Sequence, residues 1–321
     1  MAAVVIVYAF VVLVDPFDTL PLSPPADRAP VASNARFAYP ALARSDRFDS
    51  ALFGTSTSRL LRPATLNPLF GARFANLSMN DATAHEQLLL MHVFLRAHPS
   101  PRVFMVGLDV RWCETGDDYQ RWTGRAVPLW MYGESRWAGY ANMLNLYAIE
   151  TAGQAFGVLA GLKAETLGRD GYTRFVPPDE AYDRAKVARN LANAGTLIPP
   201  GPRSGPAATW RFRALEDLAA ILARIPDTTR IVLFFVPYHQ ALQVPRGGYD
   251  EDVWAECKRR TAALPRTLVV DFMRPSPMTT NNDHYWDALH YTTAIADRIA
   301  RGLAAAARGD RSEDYAILSP E

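Results

Sequence analysis

Residues Arg102-Val103-Phe104-Met105-Val106-Gly107-Leu108-Asp109 form an apolar run that includes β-branched side chains and ends on a carboxylate. Runs of this kind are typical of strands buried on both faces of a parallel sheet. Two more such runs follow, at 230–236 and at 267–271. The sequence therefore predicts three buried strands spread over the second and third parts of the chain.

Helical patterns stand between these runs. Thr83 begins one of them, because its side chain can cap the first turn together with Glu86, three residues further on. Residues 111–209 differ from the rest: they are rich in Trp, Tyr, Gly and Pro, which indicates a long insertion able to cover a site. Predicted helices cover 83–98, 140–160, 210–224, 251–264 and 292–307, and shorter strands cover 51–53 and 74–77.

Strands that alternate with helices predict a mostly parallel sheet with helices on both faces. We therefore expect an α/β protein, a three-layer α/β/α sandwich with a flavodoxin-like parallel sheet and the insertion at about 111–209. In such sheets the ligand site lies beyond the carboxyl ends of the strands. Polar residues at those ends are therefore the first candidates for a function.

The composition excludes several classes of protein. Of 321 residues, 49% are hydrophobic, which is enough for a large core and excludes global disorder. The chain has 34 Lys plus Arg and 33 Asp plus Glu, a balance of +1, so no nucleic-acid partner is expected. The two cysteines, Cys113 and Cys257, are too few for a disulfide scaffold or a Cys-rich zinc site, and the sequence leaves their pairing open.

The first segment indicates a compartment. Residues 2–14 are apolar without a break, but thirteen helical residues span only about 20 Å of a roughly 30 Å hydrocarbon core. Residues 1–15 are predicted to be a partial membrane anchor or signal segment, with a buried core element as the alternative. The Pro-rich residues 16–48 are expected to be an extended strap, and residues 49–321 the α/β domain. We expect the protein to be attached to the cell inner membrane by this N-terminal segment, with the domain facing the periplasm or exterior.

Two short pieces carry chemistry. Gly54-Thr55-Ser56 follows the first strand, and Asp287-Ala288-Leu289-His290 precedes the last helix. A serine hydroxyl needs a base to become a nucleophile, and a histidine base needs a carboxylate to hold its tautomer. A spacing of three lets Asp287 and His290 meet within one turn of chain.

A Gly-x-Ser after the first strand and an Asp-x-x-His before the last helix resemble the SGNH (GDSL-like) hydrolase superfamily. The N-terminal segment and the Gly54-Thr55-Ser56 form look like its membrane-anchored envelope members, among them polysaccharide O-acyltransferases. The likeness covers about 49–110 and 230–307. It implies that Ser56 is the nucleophile, His290 the base and Asp287 its partner.

The chain departs from the family pattern at the oxyanion site. The family uses a Gly backbone N–H in its second block, where this chain has Asn76-Leu77-Ser78-Met79-Asn80-Asp81. A backbone N–H between Ser78 and Asp81, with Asn80 among them, can replace it. The family's third block ends in Asn, where Asp109 stands here, and an ionised carboxylate cannot donate a hydrogen bond. Either Asp109 points elsewhere, or it is protonated, or backbone groups alone bind the oxyanion.

Other readings of these residues stay open. Ser56 can be a turn serine, with Ser58 as its nearest rival, and Asp287 with His290 can be a cap beside a surface histidine. His239, after the strand at 230–236, lines the site and binds substrate or is a solvated loop residue. A metal cluster of Asp283, His284, Asp287 and His290 is the less favoured alternative, so no metal is predicted. Trp112, Trp122, Trp130 and Trp137 stack on sugars or form the core of the insertion.

The sequence thus predicts a serine-dependent esterase or O-acyltransferase that forms an acyl-serine intermediate. Its substrate would be an acylated carbohydrate or another ester, and the resemblance favours cell-envelope or exopolysaccharide material. No cofactor is expected. One alternative is a non-catalytic, membrane-anchored carbohydrate-binding or assembly protein that retains the fold, and another is an esterase that acts on lipids.

Overall fold

The computed structural model describes residues 1–116, 119, 121–201, 205–245 and 249–320. Its sheet has six strands in the order β2-β1-β3-β4-β5-β6, in which β1 to β5 are parallel and β6 is antiparallel to β5. The protein is therefore α/β with a mixed, mostly parallel sheet. The strands are β1 Ser50–Phe53, β2 Phe74–Asn76, β3 Val103–Leu108, β4 Arg230–Phe235, β5 Thr267–Asp271 and β6 Ala316–Leu318.

The five parallel strands agree with the sequence predictions, and β6 was not predicted. Its three residues, Ala316–Leu318, are only half-buried at the sheet edge, so the sequence shows neither a long apolar run nor a clear alternation. The order 2-1-3-4-5 is common in doubly wound sheets and reverses at β1, which lies between β2 and β3. That reversal opens a crevice beyond the carboxyl ends of β1 and β3.

Twelve α-helices are present in the described residues. The capping box predicted for Thr83 and Glu86 is present at the start of α5, and it closes the first turn with both side chains. The helix predicted over 140–160 is instead two helices, because Asn145 accepts a hydrogen bond from the Ala148 N–H and begins a new one. The helices are α1 Ala2–Val14, α2 Ala35–Arg44, α3 Ser56–Arg59, α4 Pro63–Phe70, α5 Ala84–Ala97, α6 Leu129–Tyr132, α7 Ala138–Asn142, α8 Leu146–Leu159, α9 Arg184–Ala192, α10 Arg213–Leu222, α11 Tyr249–Ala262 and α12 Thr293–Ala306.

The Pro-rich segment 16–48 is not extended throughout, because α2 lies within it. Asn34 caps α2 by accepting a hydrogen bond from the Arg36 N–H. The Arg36 guanidinium pairs with the Glu86 carboxylate, and both side chains are buried. This pair fastens the segment to α5, and breaking it by removing one partner would leave an uncompensated buried charge.

The apolar residues 2–14 form α1, which packs along α8 of the insertion. Within the part of the chain that the structure describes, no helix combines the length and the apolar character needed to cross a membrane. One side of α1 is covered by protein, and Val11 and Val14 are buried there. Its other side is exposed.

Cys113 and Cys257 form a disulfide, with their Cα atoms 5.6 Å apart. Cys113 ends the short 3-10 helix that follows Asp109, and Cys257 lies in α11. The crosslink therefore joins the start of the insertion to a helix beside β5. The sequence had left this pairing open, since residues 144 positions apart need the fold to bring them together.

Candidate active site

Ser56, His290 and Asp287 form one chain of hydrogen bonds. The Ser56 hydroxyl lies 2.8 Å from His290 Nε2. On the other side of the ring, His290 Nδ1 lies 2.8 Å from Asp287 Oδ2 and 3.1 Å from Oδ1. The fold thus brings a serine into contact with a histidine that is 234 residues away in sequence.

The turn after β1 sets the direction of the Ser56 side chain. Gly54 has a φ of 153°, and a Cβ there would lie 2.4 Å from the Ser58 hydroxyl oxygen, so only glycine fits. Thr55 is extended, and Ser56 is the first residue of α3. The hydroxyl therefore projects beyond the carboxyl end of β1, in the crevice where the strand order reverses.

Asp287 is held by the backbone as well as by the histidine. Its Oδ1 accepts hydrogen bonds from the N–H groups of Leu289 and His290, both at 2.8 Å. Burial acts to raise the pKa of Asp287, but the hydrogen bonds from His290 and from these N–H groups outweigh it and lower that pKa below its usual value. The carboxylate is therefore ionised and fixed, as a partner for Nδ1–H must be.

A tyrosine joins the segment of Ser56 to the segment of Asp287 and His290. The Tyr291 hydroxyl, which is fully buried, donates a hydrogen bond to the Thr57 carbonyl oxygen. Tyr285 and Tyr291 also form an antiparallel bridge that encloses the Asp287–His290 segment. The position of His290 relative to α3 therefore does not depend on the Ser56–His290 hydrogen bond alone.

Two residues that the sequence did not single out lie beside this group: Phe175 contacts His290, and Arg59 contacts Phe175. The Phe175 ring, from the insertion, meets the His290 ring edge-on, with the centroids 5.4 Å apart. The Arg59 guanidinium lies over the Phe175 ring at 5.9 Å and over the Tyr39 ring at 6.0 Å. No motif marks Phe175, because its role depends on where a long insertion folds back. Arg59 follows Ser56 by three residues, and that spacing is the one signal it gave.

Among the residues from Ser78 to Asp81, two backbone N–H groups are engaged. The Ser78 N–H donates to Asn76 Oδ1 at 3.1 Å, and the Met79 N–H donates to the Gly54 carbonyl at 3.0 Å. The Asn80 side chain accepts a hydrogen bond from Arg59 and is thus part of the scaffold.

Asp81 is the remaining member of that loop that lines the cleft with Ser56. Its φ is 52°, in the left-handed region that glycine adopts without strain and that Asp tolerates better than most residues. A non-Gly residue held there costs free energy and is often found at a functional site. Asp81 is therefore the residue from Ser78 to Asp81 that shares the cleft with Ser56.

Asp109 faces the same cleft and is buried. Its Oδ1 accepts a hydrogen bond from the Arg111 N–H at 2.9 Å, and the Thr55 hydroxyl is a second partner. Burial raises the pKa of Asp109 to about 6, against the opposing effect of these hydrogen bonds. Asp109 thus lines the cleft with its carboxylate engaged by Arg111 and Thr55.

His239, for which the sequence left two readings open, is not among the residues that line the cleft at Ser56. Its Nδ1 accepts a hydrogen bond from the Ala241 N–H at 3.1 Å, so Nε2 carries the proton and donates to Asn282 Oδ1 at 3.1 Å. It is a buried loop residue whose pKa is lowered by burial. Its neighbour Tyr238 lines the cleft instead, because consecutive side chains leave a strand end in opposite directions.

The residues of the alternative metal cluster lie apart in their interactions. Asp283 pairs with Arg184 at 2.8 Å, and His284 Nδ1 lies 2.9 Å from the Met278 carbonyl oxygen. In the part of the chain that the structure describes, no group of three or more His, Cys, Asp or Glu side chains is arranged to hold a metal ion. The tryptophans are mixed: Trp112 is fully buried, whereas Trp122 and Trp137 are exposed.

The cleft at Ser56 has a volume of about 330 Å³, and the insertion forms one of its walls. A second cavity, of about 720 Å³, adjoins it, because Leu197 and Tyr238 line both. Comparison of the sequence with protein-family models and with curated proteins found no match. The cleft is lined by Thr55, Ser56, Thr57, Asp81, Ala82, Asp109, Val110, Arg111, Leu197, Ile198, Pro200, Tyr238 and Leu289.

Proposed function

We propose that the protein is a serine-dependent esterase or O-acyltransferase that works through an acyl-serine intermediate. The observation that carries this proposal is the continuous hydrogen-bond chain from Ser56 through His290 to Asp287. A serine hydroxyl at 2.8 Å from an imidazole nitrogen, with the other nitrogen on an ionised carboxylate, is the arrangement that makes a serine nucleophilic at neutral pH.

In the proposed reaction, Ser56 Oγ attacks the carbonyl carbon of an acyl ester while His290 Nε2 accepts its proton. The tetrahedral intermediate collapses when the C–O bond to the alcohol breaks and the imidazolium returns that proton to the leaving oxygen. Water, or a sugar hydroxyl, then attacks the acyl-serine carbonyl while His290 accepts its proton. The bond between the acyl carbon and Ser56 Oγ breaks, and the imidazolium returns the proton to Oγ, which restores the free serine. Asp287 holds Nδ1–H throughout and stabilises the imidazolium.

The oxyanion of the intermediate would be bound by backbone N–H groups, those of Asp81 and of Ser56 at the start of α3. Asp109 lies close by, and its ionised form would repel the developing charge. Each missing oxyanion donor costs about a hundred- to a thousandfold in rate. We therefore propose an enzyme of modest rate at neutral pH, limited by the charge on Asp109.

The substrate class and fold family remain proposals that follow from the resemblance. We propose the three-layer sandwich of SGNH hydrolases and, as substrate, an acylated carbohydrate of the envelope or of an exopolysaccharide. The wide cleft and its adjoining cavity have room for a group larger than acetyl on one side of the scissile ester. No step in this scheme requires a cofactor.

We also propose that the protein belongs to the inner membrane, attached through α1, with the domain in the periplasm or exterior. The exposed apolar side of α1 supports the attachment. The Cys113–Cys257 disulfide supports an oxidising compartment, because such bonds persist outside the cytosol.

Asp109 favours a second candidate, a non-catalytic carbohydrate-binding or assembly protein that retains the fold. A carboxylate in the cleft, buried and bonded to Arg111 and Thr55, is a good acceptor for sugar hydroxyls and a poor neighbour for an oxyanion. This candidate predicts glycan binding without turnover.

Labelling with a fluorophosphonate distinguishes the two candidates. The full chain is treated with the reagent, and the modified peptide is located by mass spectrometry. We expect the label on Ser56, its loss in His290→Ala, and its retention in the control Ser58→Ala. A folded protein that takes no label, yet binds glycan, would replace the esterase proposal by the binding one.

A further inference from the structure

An exposed apolar surface runs along α1 and α8, and its residues take no part in the hydrogen-bond chain at Ser56. We call it the α1–α8 surface. Large apolar side chains of both helices, and one in the turn after α8, point to solvent there. Its residues are Val4, Val5, Ile6 and Leu13 of α1, Leu146, Phe156 and Leu159 of α8, and Leu162 of the turn.

The two helices form this surface jointly because they lie side by side in opposite directions. The Phe10 ring meets the Phe156 ring at 5.8 Å, and further along α1's path the Phe17 ring meets the Tyr147 ring at 6.0 Å. Residues early in α1 therefore lie beside residues late in α8. The turn with Leu162 therefore lies toward the start of α1, near Val4–Ile6.

Water is a poor partner for these side chains. Ile6 is 68% exposed, Leu146 86% and Leu162 76%. A turn usually carries polar residues at its tip, whereas Ala160-Gly161-Leu162 carries an apolar one. Contiguous exposed apolar patches mark sites for a protein or a membrane.

The chemistry of the surface favours lipid. α1 is apolar all round, without the polar rim that frames a protein interface. Lys163 follows Leu162 and is exposed, so its ammonium can reach lipid phosphates while its stem stays in the apolar layer. Trp137 is 59% exposed and packs on Tyr140. Tryptophan and tyrosine side chains are enriched at the membrane–water interface.

We propose that α8 and its following turn dip into the outer layer of a lipid bilayer beside α1. The insertion then contacts the membrane in its own right and fixes how the domain sits on it. This inference deepens the proposed membrane location and rests on it. Association of two copies through the same surface is the competing outcome.

Vesicle sedimentation of the full chain tests the proposal, with vesicles of phosphatidylethanolamine and phosphatidylglycerol. The variant Leu146→Ser/Leu159→Ser/Leu162→Ser leaves α1 intact and keeps Phe156, which packs on Phe10, so folding is expected to be kept. We expect the bound fraction to fall at least about tenfold in partition coefficient. Trp122→Ser, an exposed aromatic of the insertion that packs on His85 instead, is the matched control and should bind as the unaltered chain does.

A second measurement does not depend on the triple variant folding. Leu162→Cys carries a polarity-sensitive fluorophore, with Ala263→Cys, exposed at the end of α11, as control. We expect a blue shift on adding vesicles, and quenching by brominated lipid, at position 162 alone.

Three results would overturn the proposal, each in a different way. If the triple variant sediments with vesicles as the unaltered chain does, α1 alone attaches the protein and α8 does not enter the bilayer. Absence of sedimentation for the unaltered chain, with Ser56 still labelled, would remove the membrane location and keep the esterase. A dimer in lipid-free solution that the triple variant dissociates would assign the surface to a second copy.

Discussion

Two carboxylates near Ser56 have pKa values that are shifted in opposite directions. Asp287 has a lowered pKa and Asp109 a pKa raised to about 6, although both accept hydrogen bonds from backbone N–H groups. Asp287 receives two backbone N–H groups and the imidazole of His290. Asp109 receives one backbone N–H and a hydroxyl, and it is more deeply buried. Asp287 has more hydrogen-bond donors than Asp109 and loses less of its hydration, so its carboxylate stays ionised to a lower pH.

In the proposed mechanism the two carboxylates would have different roles. The lowered pKa of Asp287 would suit a lasting partner of His290, whereas the charge of Asp109 changes near pH 6. The ionised form of Asp109 would oppose an oxyanion, and the protonated form could donate a hydrogen bond to it.

Asp287→Asn has the largest expected effect. The amide cannot hold the Nδ1–H tautomer or stabilise the imidazolium, so kcat for an ester substrate should fall roughly ten-thousandfold. Steady-state hydrolysis of a chromogenic ester measures it, and circular dichroism checks the fold. Asp283→Asn, a neighbouring carboxylate paired with Arg184, is the control and should change the rate little. An Asp287→Asn enzyme of normal rate would show that His290 does not need this partner.

Asp109 should also make stability fall as pH rises. Its pKa is 3.8 in ordinary surroundings and about 6 in the fold, so the folded protein binds the proton more tightly between these values. Its contribution is fully present below pH ~4 and is lost as pH rises through ~6, by roughly 2–3 kcal/mol.

Urea unfolding of the unaltered chain and of Asp109→Asn at several pH values measures this loss. The difference in unfolding free energy between the two should change over that window and be flat outside it. A difference that is the same at pH 4 and pH 7 would mean that Asp109 has an ordinary pKa.

Asp109→Asn should raise the rate of ester hydrolysis, by about tenfold at pH 8. The amide oxygen can still accept from the Arg111 N–H, while its NH₂ replaces a repelling oxygen by a donor. The gain should shrink as pH falls below about 6, where Asp109 itself is protonated. A pH–rate profile of both proteins is the measurement. A collapse of activity in folded Asp109→Asn would instead give the carboxylate a role of its own.

Phe175→Leu should have the smallest effect, about three- to tenfold in kcat. The ring meets His290 edge-on at 5.4 Å, so its loss loosens the base without touching Asp287 or Asp109. A control at Phe156, another exposed aromatic of the insertion, should leave ester hydrolysis in solution unchanged. If Phe175→Leu and Phe156→Leu behave alike, the contact with His290 has no kinetic role.

The parts of the site that lie close in sequence were the ones that sequence predicted. Gly54 and Ser56 share one turn, and Asp287 and His290 share another, so spacing alone suggests each pair. Strand order then brings the two turns together. The rule that a ligand site lies beyond the carboxyl ends of parallel strands therefore pointed to the right place for these residues.

The parts that depend on distant contacts escaped prediction. Phe175 reaches His290, and Leu197 reaches the cleft, from an insertion whose path no local pattern fixes. His239 was a candidate because it follows a strand, but that rule gives a position along the chain and not the direction of a side chain, so the sequence left its place open. The edge strand Ala316–Leu318 is too short and too exposed to leave a pattern.

The disulfide has a consequence for how the cleft is made. Cys113 stands four residues after Asp109, and Cys257 belongs to the same helix as Trp254 and Lys258, which line the adjoining cavity. The disulfide therefore connects the segment after Asp109, at the Ser56 cleft, to the helix that lines the adjoining cavity. A chain folded under reducing conditions would contain Ser56, His290 and Asp287 and yet lack this crosslink. The shape of the cleft in a preparation would then depend on the redox conditions under which the chain had folded.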